Sequence, residues 1–330
     1  MGTFRTLSQS DLEEIWGLFG LAGQPSATPI AAGTVNTNFV IHVDGGGAAE
    51  ARRFMRINEG KTGDDVAREA AIVEHVAARG VPTPRPLHAR DGRPFAVWQG
   101  AYVSLFPWVE GHTLTRAEIG PGEAEAAGRA LALLHRAGTD FPDRRPGRYE
   151  ADEIERRANL IAAGPALQDP VLAAAVGILG PALADLHRRR DPGLPLGLIH
   201  GDLFIDNVLY RDGGLTALLD FEQASWGALL YDLAVSVLAF GFGRDDFRPD
   251  VTRAFITGYQ TVRPVSPAEA RGFGAELGFA ACRFAVTRIT DVYLRRDAGA
   301  PGGKDFHRYL DRLAAVQRHL GAGGALFELG

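Results

Sequence analysis

The chain has 330 residues, 46 % hydrophobic and 23 % charged, with a net charge of -5. That length can bury roughly three quarters of the unfolded surface, and the composition excludes a disulfide-stapled module, a disordered chain and a fibre. Mild acidity without basic blocks argues against nucleic acid as a partner. A single cysteine, Cys282, offers neither an internal disulfide nor a Cys/His metal cluster. No window of eighteen apolar residues suggests a membrane span, so the expectation is a cytoplasmic protein in a reducing compartment. Of the 35 basic residues only Lys61 and Lys304 are lysine, and the other 33 are arginine.

Ser8 to Gly20 reads as a short helix, capped by Ser8, Ser10 or Asp11, with Leu12, Ile15, Trp16 and Phe19 at helical spacing. Residues 34–43 alternate as a strand, Asp44 to Gly47 turns the chain, and residues 53–57 run back. Asp64 and Asp65 open a helix whose Val66, Ala70, Val73 and Val76 share one face and which stops at Gly80. The prolines at 82, 84 and 86 forbid helix, and two short strands follow at 95–98 and 101–106. From Pro107 to Gly111 the texture changes, which predicts a division into residues 1–106, a hinge at 107–111, and a helical region at 112–330.

Beyond the hinge, helices are predicted at 121–137, 149–163, 170–190, 229–240, 248–261, 267–295 and 305–320. Embedded among them are two apolar strands joined by the turn Arg211-Asp-Gly-Gly, with polar residues left at their ends: His200, Asp202, Asn207 and Asp220. The pattern His200-x-Asp202-x-x-x-x-Asn207, followed by Asp220, fits phosphoryl transfer, in which the protein mainly positions groups and neutralises charge. Asp202 can accept the proton of an attacking hydroxyl, while Asn207 and Asp220 offer hard oxygens to magnesium. Any one of these residues alone would read as a turn cap; the set points to chemistry. His200 reads as structural, since an Asp general base needs no second imidazole.

These segments resemble the aminoglycoside-phosphotransferase superfamily of small-molecule kinases, and within it the bacterial homoserine kinases of the same fold. Also carrying the likeness are Thr34-Val-Asn-Thr-Asn-Phe, Ala77-Ala-Arg-Gly-Val-Pro-Thr-Pro-Arg-Pro, Leu131-Ala-Leu-Leu-His, Leu219-Asp-Phe, Leu230-Tyr-Asp-Leu-Ala, Arg283-Phe-Ala-Val-Thr-Arg-Ile-Thr-Asp and Lys304-Asp-Phe-His-Arg-Tyr-Leu. The resemblance implies an α+β, two-lobed protein-kinase-like fold. Its small N-lobe is an antiparallel sheet with one main helix, its larger C-lobe is mostly helical, and it uses ATP and Mg2+. The lysine that such kinases place on the third strand falls here on Arg56, with Glu69 as its helix partner. Arginine could clamp phosphate oxygens bidentately, and neither lysine fits that strand position by sequence.

The resemblance further implies a nucleotide roof at Gly33, Thr34, Asn36 and Asn38, although no G-x-G-x-x-G is present and a plain hairpin is the alternative. Adenine is expected against the backbone from Phe106 to Val109. Asp232 is implied as a buried acceptor steadying the catalytic loop. For a homoserine-like acceptor, Arg283 and Arg288 are the candidate carboxylate partners, and Asp206, Glu222 and Asp291 the candidate ammonium partners. The implied activity is phosphate transfer from ATP to the hydroxyl of a small amino alcohol, homoserine first. An aminoglycoside, amino-sugar or choline-like kinase is the runner-up, and a nucleotide-binding pseudokinase comes third.

Overall fold

The computed structural model describes residues 5–30, 36–44, 51–295 and 305–329. They form two compact units: Met1–Gly111 with Thr216–Glu222, and His112–Leu215 with Gln223–Gly330. The return of Thr216–Glu222 to the first unit departs from the continuous 112–330 region expected. Its physical basis is local: Leu218 N donates to Pro82 O at 2.7 Å, and Asp220 and Glu222 carry ion pairs within the first unit.

The first unit opens with α1 (Gln9–Phe19), closed by a Ser8/Asp11 capping box and by left-handed Gly20. Strands β1 (Gln24–Ile30), β2 (Thr37–Asp44), β3 (Arg52–Asn58), β4 (Ala96–Trp98) and β5 (Ala101–Pro107) make one antiparallel sheet in the order β1-β2-β3-β5-β4. Between β3 and β4 runs α2 (Gly63–Ala77), capped by Thr62 and Asp65. Leu12, Ile15, Trp16 and Phe19 of α1 pack on Phe39, Ile41, Met55, Ile57, Val103 and Leu105. Each such fully buried side chain contributes roughly 1.5–3 kcal/mol of apolar transfer. Because side chains alternate along a strand, burying Met55 and Ile57 in that core turns Arg56 to the opposite face of β3.

In the second unit, α3 (Pro121–Ala137), α4 (Ala151–Ala163) and α5 (Pro170–Arg189) precede β6 (Leu196–Ile199), β7 (Val208–Arg211) and β8 (Gly214–Leu218). The β7–β8 turn places Asp212 and Gly213 at φ 52° and 77°, a two-residue hairpin geometry, and β8 carries the chain into the first unit at Thr216. Then β9 (Ser225–Ala228) pairs antiparallel with β6 and leads straight into α6 (Leu229–Phe240). The last helices are α7 (Pro249–Gln260), α8 (Pro267–Asp291) and α9 (His307–Gly321).

Every residue of α6 is buried, with α3, α7 and α8 against it. Helices α3 and α7 meet through two glycines: a Cβ on Gly128 would stand 2.0 Å from Phe255 O, and one on Gly258 2.1 Å from Glu125 O. Among the described residues α5 is the one helix long and apolar enough by composition to cross a membrane. In this fold its Leu172, Ala175, Leu179, Leu183 and Leu186 stripe is buried, with α4 and α8 as neighbours.

Candidate active site

In the second unit β6 ends at Ile199, and the chain turns through His200 and Gly201 into Asp202. Gly201 has φ +74°, and a Cβ there would meet Gln223 O at 2.8 Å, so backbone strain and space both require glycine. Asp232, in the first turn of α6, is fully buried. Its Oδ2 accepts from His200 N at 2.7 Å and contacts His135 Nε2 at 2.9 Å, while its Oδ1 accepts from Gly201 N at 2.7 Å. Burial alone would raise the Asp232 carboxyl, but the hydrogen bonds from the His135 ring and from the His200 backbone hold it below its ordinary value.

His135 extends this network. Its Nδ1 lies 2.7 Å from Tyr259 Oη, which accepts from Arg263 at 3.2 Å, and Arg263 in turn pairs with Glu269 at 2.6 Å. Burial lowers the His135 pKa, and a neutral ring that donates from Nε2 to Asp232 and accepts at Nδ1 from the tyrosine satisfies every group. Sequence reading missed His135 as a functional contact; its place after Leu133-Leu134, on the buried face of an amphipathic α3, was its signal.

The loop itself is closed by short bonds. Phe204 N donates to Asp202 O at 2.9 Å, and Asn207 Nδ2 donates to the same oxygen at 2.8 Å. With its amide nitrogen so engaged, Asn207 keeps its side-chain oxygen as an acceptor. The Asp202 carboxylate is half-buried, and its charge reaches Tyr231, Arg288 and Tyr309. Burial, with a smaller contribution from Asp202, pushes the Tyr231 hydroxyl up to about 12.

A second cluster lies in the first unit. Arg56 Nη1 pairs with Glu69 Oε1 at 3.0 Å and with Asp220 Oδ1 at 3.4 Å. Lys61, only 10 % exposed, reaches Glu69 Oε2 at 3.0 Å and Glu222 Oε2 at 3.1 Å. Lys61 lies outside β3, in keeping with its place in the sequence, yet it meets the same Glu69 carboxylate as Arg56. Lys61 directly precedes the Thr62 cap of α2, and the short turn from β3 folds it back beside Arg56. Burial would lower the Arg56 guanidinium, yet Glu69, Asp220 and Glu222 hold it above its ordinary value. Burial raises Asp220, with Glu222 and Glu69 adding to the rise against Arg56, and Asp220 adopts a left-handed φ of 62°. Such a conformation at a non-glycine residue costs on the order of 1–2 kcal/mol.

The remaining expected nucleotide residues are placed as follows. Asn36 is buried, accepting from Glu59 N at 3.2 Å and donating to Glu222 at 3.5 Å. Asn38 stands opposite Arg56 in the β2–β3 register. Phe106 near the end of β5 lies 6.0 Å from Phe54, and Val109 beyond it is half-buried. Gly33 and Thr34, like Lys304, lie outside the described residues.

The expected acceptor residues separate. Glu222 is engaged by Lys61 at 3.1 Å in the first unit. Asp291 is likewise engaged, by Arg157 at 2.9 Å, and Asp206 is exposed on a 3₁₀ turn. Arg288 donates to Asp305 O at 2.9 Å and lies over the Tyr309 ring. Arg283 differs from these: it is 4 % exposed and lines a cavity of about 520 Å³ in the second unit together with Gly201, Gln223, Tyr149 and Tyr231.

Residues 26–267 match the family model described as the phosphotransferase enzyme family. The chain belongs to this family. Among relatives of this phosphotransferase, the homoserine kinase of Methylobacterium sp. (strain 4-46) is 34 % identical over 306 residues, covering 92 % of each chain. The homoserine kinase of Methylobacterium nodulans is 34 % identical over 274 residues, 83 % of each. Among solved structures, a microcompartment-associated aminopropanol kinase superposes with a TM-score of 0.70 at 17 % identity, covering 96 % of this phosphotransferase and 99 % of that chain. At that identity the likeness speaks for the fold, which is that of the small-molecule kinases.

Proposed function

We propose that this phosphotransferase moves the γ-phosphate of ATP to the side-chain hydroxyl of homoserine. The observation that carries the acceptor is the 34 % identity, over 92 % of both chains, to a protein named homoserine kinase. The geometry supports the transfer. Asp202 leaves a loop whose backbone N–H groups are bound at both Asp232 oxygens, so its carboxylate is held still enough to receive the hydroxyl proton. The hydroxyl oxygen then bonds to the γ-phosphorus as the bond to the departing ADP oxygen breaks, giving O-phosphohomoserine and ADP. Arg56 and Lys61 supply two cations for phosphate oxygens, and the backbone from Phe106 to Val109 receives adenine.

Magnesium suits the donors present. Among the described residues no group of three or more His, Cys, Asp or Glu is arranged to hold a metal; magnesium characteristically needs only one or two protein oxygens beside phosphates and water. Asn207 in the second unit and Asp220 in the first each offer an oxygen of that kind, and magnesium when bound would neutralise charge on the phosphates.

The test is ADP release with magnesium and ATP against homoserine, threonine, choline, methylthioribose and kanamycin. Homoserine should give the highest kcat/KM. Turnover of another acceptor but not homoserine would refute the acceptor assignment, and nucleotide binding without any turnover would favour a pseudokinase.

A further inference from the structure

Among the described residues, the second unit holds a buried cation with no counter-ion, Arg283. Arg283, in the middle of α8, is 4 % exposed; among the described residues no carboxylate lies within ion-pair distance of it, and its Nε has no hydrogen-bond partner. A buried charge left unpaired is costly, and neighbouring aromatics offset only part of that cost. The guanidinium carbon lies 4.2 Å from the Tyr149 ring centre and 3.7 Å from that of Phe284. Ring contacts engage the flat faces of a guanidinium and leave its in-plane N–H donors for an anion.

Arg190, which lines the same cavity, shows the contrast: its Nε and Nη2 already meet both oxygens of Glu276, at 2.8 and 2.9 Å. The cavity wall also includes Gly201, the residue before Asp202. One side chain thus offers an unmatched positive fork within a cavity that reaches the residue preceding the proposed base.

We infer that Arg283 reads a carboxylate on the acceptor, so that the phosphorylated hydroxyl belongs to an amino acid and not to a simple amino alcohol. This rests on the kinase reading for the reaction but not for the binding. Carboxylate and guanidinium meet edge to edge through two parallel N–H···O bonds, a geometry that lysine cannot copy. The residue therefore separates homoserine from 3-aminopropan-1-ol, which is homoserine without its carboxylate.

Two ligand pairs test it on the full-length protein. L-2-aminobutyrate and propylamine differ only by the carboxylate and carry no hydroxyl; calorimetric titration of wild type, Arg283→Gln and Arg283→Lys reads binding alone. Homoserine and 3-aminopropan-1-ol read turnover. Wild type should prefer the carboxylate-bearing member of each pair. Arg283→Gln should lower that preference about 10- to 100-fold, chiefly through KM for homoserine, with Arg283→Lys in between. A preference unchanged by substitution, or both alcohols falling together, would overturn the assignment.

If Arg283→Gln fails to fold, Arg283→Lys and the wild-type ligand pairs still decide. Binding of aminobutyrate that depends on Arg283, with neither alcohol phosphorylated, would sink the kinase reading and leave the carboxylate site standing. Equal phosphorylation of both alcohols by wild type would do the reverse.

Discussion

Asp232 and Gly201 are joined by a 2.7 Å hydrogen bond from the Gly201 N–H to Oδ1, while Oδ2 takes the His200 N–H at the same distance. Both loop donors need an acceptor, and an amide in place of the carboxylate would turn one N–H₂ group against an N–H. Asp232→Asn should therefore cost about 1.5–3 kcal/mol of stability, the range for hydrogen bonds to a charged group. It should also lower kcat at least about tenfold through displacement of the loop, with little change in KM for ATP. Thermal unfolding and steady-state rates on the same preparation check this; a wild-type kcat would remove Asp232 from the positioning of Asp202.

Lys61 and Arg56 share Glu69, one on each carboxylate oxygen, at 3.0 Å each. If both serve phosphate, Lys61→Met and Arg56→Ala should each raise KM for ATP by about tenfold, the worth of one charge-assisted contact. ATP titration in steady state distinguishes them. A normal KM in Lys61→Met would return Lys61 to a purely structural ion pair.

Burial holds the His135 imidazole below its ordinary value, so the folded chain keeps it neutral. The unfolded chain takes up that proton near pH 6.5, and stability from this residue is full above that pH and lost as pH falls toward the depressed folded value. Asp232, also held low, adds a loss at still lower pH, present above about 3.8 and lost as pH falls through its folded value. The unfolding midpoint should drop between pH 7.5 and 5.5, and the drop should be smaller in His135→Gln. An equal drop in both proteins would assign the acid sensitivity elsewhere.

Much of the helical unit could be read along the chain because its ends are marked. Pro121 and Gly138 bound α3, and Ser266 before Pro267 opens α8 with a capping box. Strand β1 escaped notice because Pro25 and Pro29 break its pattern; as an edge strand paired only with β2 it tolerates them. Four-residue β9 is too short and small to signal itself and exists through pairing with β6. At the site, Asp202, Asn207 and Asp220 stood out by spacing. The contact of His135 with Asp232 spans 97 positions, and the placement of Lys61 depends on how tightly β3 turns into α2. Such contacts are made by tertiary packing, for which local periodicity carries no mark.

The central claim is that Asp202 takes the proton from an acceptor hydroxyl. Single-turnover transfer from γ-labelled ATP to homoserine, in wild type and Asp202→Asn with nucleotide binding measured alongside, tests it most directly. The amide keeps the size of the side chain but loses the base, so phosphohomoserine formation should fall by about 10²–10⁴-fold while ATP still binds with near wild-type affinity. Transfer at the wild-type rate in that variant would contradict the account.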